Sequence, residues 1–311
     1  MRAFAVFGGS SPTARFAGIA FAVASGLFVS PLPAQAAEAY LVGAGDIAKC
    51  GDKYMRNAEA TARLLDRFFE NLNGEEAVVF TAGDTAYKRG RTEEFSDCYD
   101  PTWGRHKERT RPAVGNHEYK TRDAAPYYAY FGDRAGDPKQ GYYSYELGDW
   151  HIVVLNTVCK KVGGCDEGSP QYEWLLSDLE QNDKRCVLAY SHHPMFSSGK
   201  HGGEKAVRPL FRLLHQNGAE AFVSGHDHNY ERFAPQDPEG KADSEHGVRQ
   251  FVVGTGGREL RRVGRASANS EVLSREAYGV ISFRLLPDSY EWEFHPIAGE
   301  QFTDSGEGVC R

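Results

Sequence analysis

The chain is 311 residues long with a formal net charge of −7, and 41% of it is hydrophobic and 25% charged. That length allows a large buried core in one domain or two. The acidic balance, with no basic run to offset it, excludes a protein that holds duplex nucleic acid or an anionic membrane through its net charge, so a local positive centre has to come from something not encoded, such as metal ions.

The chain opens with Arg2 and Arg15, an apolar run from Phe16 to Val29, then Pro31, Pro33 and Ala34-Gln35-Ala36. A basic start, a short apolar stretch and a small-x-small site describe a signal peptide over residues 1–36. The run is shorter than the roughly 20 residues of a spanning helix, so no stable membrane anchor is expected, and the protein is expected to be secreted or periplasmic. Cleavage removes two arginines and no acid, so 311 residues at −7 become 275 at −9. All six cysteines follow the cleavage point, and an even count in an exported chain points to disulfides. Cys159 and Cys165 flank a Gly-Gly loop and form the favoured pair. Cys50–Cys98 and Cys186–Cys310 are assigned to the remainder, although spacing does not fix them.

Tyr40 to Asp46 reads as a buried strand ending in a turn, and Ala58 to Leu72 carries apolar residues at helical spacing. Ala77 to Asp84 is a second buried strand, again closing on Gly-Asp. Pro112 to Gly115 leads into Asn116. Gly141 to Leu147 and Trp150 to Asn156 form a hairpin-like pair. A helix over about 170–179, a strand over Cys186 to Ser191, a helix over Lys205 to His215 and a strand over Ala219 to Ser224 follow. Further strands are expected at Val248 to Gly254, Tyr278 to Leu286 and Tyr290 to His295, with a polar, mobile loop over Arg258 to Glu276. Alternating elements followed by strands indicate an α/β domain with helices outside.

Five polar clusters stand out: Gly45-Asp46-Ile47; Gly83-Asp84-Thr85-Ala86-Tyr87; Gly115-Asn116-His117-Glu118; Ser191-His192-His193-Pro194; and Gly225-His226-Asp227-His228. Four of them directly follow a strand, at the edge where open α/β sheets place ligands. Carboxylates, an amide oxygen and imidazoles together suit transition ions better than a lone structural zinc or calcium. Alone, Asp46 would read as a turn aspartate and His192 as a core histidine; the ordered set is what carries weight.

That ordered set, over most of residues 40–232, resembles the calcineurin-like metallophosphoesterase superfamily. Tyr87 three residues after Asp84, the run from Gly225 to Arg232, and His201 nine residues after His192 narrow the resemblance to the purple acid phosphatase branch. The resemblance implies an α/β fold with a central β-sandwich flanked by helices (a four-layer αββα arrangement), in one catalytic domain over 37–311. Only about nine residues separate the expected cleavage point from Asp46, so the extra N-terminal β-domain of plant-type members is not expected.

The resemblance further implies two metal ions. Asp46, Asp84, Tyr87 and His228 would hold one, and Asp84, Asn116, His192 and His226 the other, with Asp84 shared. A tyrosinate favours Fe(III) at the first position, and the second suits a divalent Fe, Zn or Mn. The implied activity is hydrolysis of phosphomonoesters by metal-bound hydroxide, with a small phosphorylated molecule as substrate and His117 and His201 as the candidates to protonate the leaving group, the role of His117 staying open between proton donor and hydrogen bonding to the phosphate alone. A phosphodiesterase acting on nucleotides or glycerophospho compounds is the alternative within enzymes, and a non-catalytic secreted metal-binding module the alternative outside them. No Gly-x-Ser-x-Gly nucleophile motif or P-loop occurs.

His193 stands where smaller members of the superfamily often carry tyrosine, and its role stays open between supporting the ligands and facing substrate. Glu118, Tyr230, Glu231 and Arg232 are expected to orient the metal-binding histidines. His106, His151, His215, His246 and His295 match no motif and read as surface or core, and Tyr127 to Phe131 reads as core packing.

Overall fold

The structure is a computed structural model that describes residues 8–9, 13 and 38–311. Apart from those first three residues, the expected leader lies outside the described residues.

Thirteen strands build two large sheets. In chain order they are β1 (Ala39–Ala44), β2 (Glu76–Ala82), β3 (Thr110–Ala113), β4 (Tyr143–Leu147), β5 (Trp150–Val154), β6 (Cys186–Tyr190), β7 (Ala221–Ser224), β8 (Tyr230–Phe233), β9 (Arg249–Val253), β10 (Ser270–Ser274), β11 (Gly279–Leu285), β12 (Ser289–Pro296) and β13 (Ser305–Val309). Among the described residues the four longer α-helices are α1 (Asp52–Glu70), α2 (Ala125–Phe131), α3 (Pro170–Gln181) and α4 (Arg208–Gln216). One sheet has six strands in the order β13-β12-β11-β1-β2-β3, the other seven in the order β10-β8-β9-β7-β6-β5-β4. Strands β1, β2 and β3 run parallel, as do β5, β6, β7 and β9. The later strands of the first sheet are antiparallel.

Strand alternation decides the layering. On β5, β6 and β7, Ile152, Val154, Leu188, Tyr190 and Val223 join the main core, while Val153, Val187, Ala189 and Phe222 face the other way. The first set meets the opposite sheet: Phe80 packs on Tyr190 with ring centroids 5.4 Å apart, and Phe251 on Phe283 at 5.2 Å. The second set packs under Leu175 and Leu179 of α3 and Leu210, Phe211, Leu213 and Leu214 of α4. Ala58, Ala62 and Leu65 of α1 join the main core, and Phe68 lies edge-on to Tyr40 of β1 at 5.6 Å. Each large side chain buried this way contributes about 1.5–3 kcal/mol. The molecule is therefore the expected sandwich flanked by helices.

Local chemistry explains most boundaries. Pro170 opens α3, and the Ser169 hydroxyl caps it by accepting the Tyr172 N–H at 3.4 Å. Helix α1 starts at Asp52, six residues before the expected start, because its first turns are polar and exposed. The segment expected to be a loop from Arg258 to Glu276 instead contains β10, which pairs antiparallel with β8. The structure has the disulfides Cys50–Cys98, Cys159–Cys165 and Cys186–Cys310. The last ties β6 of one sheet to the end of β13 in the other. Among the described residues no helix is long and apolar enough to cross a membrane.

Candidate metal centre

All five sequence clusters lie just beyond the carboxyl ends of parallel strands: β1, β2 and β3 in one sheet, β6 and β7 in the other. Parallel strands end at a common edge, so the loops meet there. The backbone stitches them together. Asp46 N–H donates to Gly83 O and Ile47 N–H to Asp84 O, both at 3.1 Å, while Gly225 N–H donates to His192 O at 3.0 Å.

These turns are tight. Asp46, Asp84 and His226 sit in the left-handed region, with φ of 60°, 51° and 69°, a conformation that costs most residues roughly 1–2 kcal/mol. Glycine serves close approach: a Cβ on Gly83 would lie 2.6 Å from His192 Nδ1, and one on Gly115 would lie 2.3 Å from Asp84 N.

The side chains converge. The Tyr87 hydroxyl donates to Asp46 Oδ1 at 2.5 Å and lies 2.8 Å from Asp84 Oδ2. His228 Nε2 lies 3.3 Å from Asp46 Oδ1, and His192 Nε2 lies 3.4 Å from Asp84 Oδ1. Asn116 Oδ1 is 3.0 Å from His192 Nε2, which is 3.2 Å from His226 Nδ1. Donor atoms of Asp46, Asp84 and His192 lie within 4.8 Å of one another, as do those of His192, His193 and His226. The structure thus brings together all seven residues expected as ligands.

Ring orientation is set from outside. Nδ1 of His192 donates to Ala82 O at 2.9 Å and Nδ1 of His228 to Glu259 O at 2.7 Å, so each ring turns Nε2 inward. The electrostatics call for positive charge. Burial alone would raise the Asp46 carboxyl, but His228 and His192 outweigh it and hold it at about 2. Burial alone would discharge His192, but Asp84 and Asp46 lift it to about 9. Burial together with Asp46 and Asp84 pushes the Tyr87 phenol well up, so a phenolate there needs a cation beside it.

His117 and His201 are at the rim. The His117 ring packs on Tyr87 with centroids 4.4 Å apart, and its Nε2 is 3.8 Å from Asp84 Oδ2. The His201 ring lies 4.6 Å from that of His226. His193 is buried against Thr157, Nδ1 to Oγ1 at 3.0 Å, with its ring 4.4 Å from His226.

The expected orienting residues act differently. Among the described residues Glu118 makes no hydrogen bond to a histidine ring. Its carboxylate accepts the N–H of Asp84, Ala86 and Gly115 at 3.0, 3.2 and 2.8 Å and the Thr85 hydroxyl at 3.1 Å, clamping two ligand loops together. Glu231 accepts from the Ser198 N–H and hydroxyl and from Ser270, which pins the loop carrying His201. Tyr230 and Arg232 bond Asp304. Asp227, which sequence reasoning passed over, holds the same loop by accepting the His201 N–H at 2.9 Å and the Ser197 hydroxyl at 2.6 Å.

The segment after β9 was also missed. Arg258 N–H donates to Asp46 O at 2.8 Å, and its guanidinium stands 5.0 Å over the Tyr87 ring. The available signal was Gly254-Thr255-Gly256-Gly257 directly after a strand. A Cβ on Gly256 would meet Gly45 O at 2.6 Å, so glycine there lets this loop close on the first ligand loop. Tyr127 is buried with its hydroxyl on Pro112 O, as core packing requires.

Comparison with known proteins gives a consistent picture. The profile of the calcineurin-like phosphoesterase family matches residues 41–230. Purple acid phosphatase 21 of Arabidopsis thaliana is 28% identical, over 61% of this chain and 45% of its own length. A second Arabidopsis thaliana protein, named probable inactive purple acid phosphatase 9, is 27% identical over 56% of this chain and 32% of its own. The chain thus spans less than half the length of these curated relatives. A solved purple acid phosphatase from yellow lupin (Lupinus luteus) seeds superposes with a TM-score of 0.73 at 18% identity, covering 89% of this chain and 55% of that one.

Proposed function

The chain belongs to the calcineurin-like phosphoesterase family, on its purple acid phosphatase-like branch, and from that premise we propose that it is an exported phosphomonoesterase with a two-metal centre, residues 1–36 being its leader and 37–311 its single catalytic domain. The observation that carries this reading is the position of Asp84. One oxygen faces Tyr87 at 2.8 Å and the other faces His192 at 3.4 Å, so the carboxylate stands between the two donor groups and would be available to both ions.

The residues present fit such ions. The inward-facing atoms are carboxylate, phenol and amide oxygens together with imidazole nitrogens, the other nitrogen of His192 and of His228 being tied to a carbonyl. Asp46, Asp84, Tyr87 and His228 would hold one ion, and Asp84, Asn116, His192 and His226 the other. A phenolate with two carboxylates suits Fe(III), while the amide and imidazoles suit divalent iron, zinc or manganese. When bound, such ions neutralise phosphate oxygens and make a water acidic enough to attack phosphorus.

The chain's own residues supply the rest. His117 Nδ1 donates to Lys88 O at 2.8 Å, and its Nε2 lies 2.7 Å from Lys120 Nζ. His117 and His201, both at the rim of the cluster, are the groups that would supply a proton to the leaving-group oxygen. Glu118 keeps the Asp84 and Asn116 loops in register while charge builds up.

The test is to load the purified protein with iron plus zinc or manganese, count the ions, and assay an aryl phosphate monoester beside the corresponding diester. Two ions per chain, a visible tyrosinate-to-iron absorption lost in Tyr87→Phe, and preferred monoester turnover support the reading. Diester preference makes it a phosphodiesterase. Absence of turnover under every metal supports the inactive state that one relative's name describes.

A further inference from the structure

We propose that the mouth of this site selects phosphate esters whose leaving group carries a further anionic group, a carboxylate or a second phosphate. Selection comes from two cations, Lys120 and Arg261, that stand against the two rim histidines. The inference rests on the phosphoesterase reading above and specifies its substrate class.

Lys120 Nζ lies 2.7 and 2.9 Å from the ring nitrogens of His117. Arg261 brings its guanidinium onto Nε2 of His201, and its backbone is fixed at the site by an N–H bond to His228 O at 2.9 Å. More positive charge stands behind each. Lys88 and Arg89 flank the His117 side, with Arg89 donating to Lys120 O at 3.4 Å, and Lys200 precedes His201. Among the described residues, none of Lys88, Arg89, Lys120, Lys200 and Arg261 is in an ion pair with a carboxylate.

In a chain whose formal charge is −7, a group of cations with no directly paired carboxylate is a local exception. Like charges gathered in one place repel, a cost that an anion seated among them removes. The transferred phosphate belongs to the metal pair, so the rim cations are left for the departing part of the substrate. A neutral alcohol gains nothing from them, whereas a carboxylate or phosphate gains charge-assisted hydrogen bonds.

The experiment compares kcat/KM for phenyl phosphate, 4-carboxyphenyl phosphate and ADP on the metal-loaded wild type and on Lys120→Glu and Arg261→Glu, with thermal midpoints to show that the variants fold. It also measures calorimetric binding of inorganic pyrophosphate against orthophosphate. The expected result is that the ratio of the anionic substrates to phenyl phosphate falls about two- to fivefold in each variant, the scale of a partly exposed charge pair. Pyrophosphate should lose its advantage in the variants and with added salt. A carboxylate-only or phosphate-only effect identifies which anion the rim takes. Ratios unchanged in both folded variants overturn the proposal. A wild type that binds pyrophosphate in preference but turns over no ester overturns the phosphoesterase reading and leaves the rim assignment standing.

Discussion

The carboxylate of Glu118 accepts the backbone N–H of Asp84 at 3.0 Å across 34 residues of sequence. With the bonds to Ala86, Gly115 and Thr85 it occupies four donors from two loops. Replacing it by alanine leaves three buried N–H groups unpaired, each costing about 1–3 kcal/mol. Glu118→Ala is expected to destabilise the protein by about 3–5 kcal/mol in urea unfolding and to lower bound metal. Glu118→Gln, which keeps one acceptor oxygen, should fall between. Wild-type stability in the alanine variant would show that the loops hold without the clamp.

Asp84→Asn keeps the shape of the side chain and removes its charge. If the carboxylate is shared, both ions are weakened by one change. Aryl phosphate turnover should drop on the order of a hundredfold or more, and the metal count should fall below two per chain. Near-normal turnover with two ions retained contradicts the bridging role.

His201→Ala tests the opposite behaviour. The ring lies outside the ligand set, so metal content should stay at two while turnover falls about tenfold or more, as removal of a proton donor does. Loss of an ion in elemental analysis would instead make His201 a ligand.

His151 offers a pH-dependent stability through residues that belong to none of the five clusters. It bonds Glu146 Oε1 through Nδ1 and Asp178 Oδ2 through Nε2, each at 2.8 Å. Burial disfavours the charged ring, but the two carboxylates outweigh it and raise its pKa above the ordinary 6.5. A raised folded pKa contributes stability that is complete below about 6.5 and fades as pH climbs through the folded value. The cost of His151→Gln in urea unfolding should therefore be larger at pH 5.5 than at pH 9. Equal costs at both would contradict the charged-ring assignment.

The bridge from Cys186 to Cys310 spans 124 residues. Closing so long a loop restricts the unfolded chain, and replacing both cysteines by alanine should cost about 4–5 kcal/mol in guanidinium unfolding under non-reducing conditions. A much smaller loss would mean that the two sheets are held by packing alone.

The convergence of these side chains was legible because each proposed ligand sits in a short contiguous motif behind an apolar strand, and strand ends are where chain order becomes spatial proximity. Asp46, Asp84 and His192 needed only the strands before them. The partners of Glu118 were not legible, since backbone N–H groups carry no sequence mark. Nor were the rim cations, since Lys88 and Arg89, Lys120, Lys200 and Arg261 come from segments far apart in the sequence. Strand β10 escaped because Ser270-Glu271-Val272-Leu273-Ser274 is a half-exposed edge strand with too few apolar residues to alternate. Helix α1 was found by its buried stripe, which is why its polar first turns were not.

The left-handed backbone at Asp46, Asp84 and His226 has an evolutionary consequence. Aspartate, asparagine, histidine and glycine enter that region at least cost, whereas β-branched residues are nearly shut out. These three loops therefore screen their own replacements. A lineage that gave up phosphate chemistry while keeping this architecture would show asparagine or glycine at such corners long before valine or isoleucine, so the memory of the ligands would outlast their use.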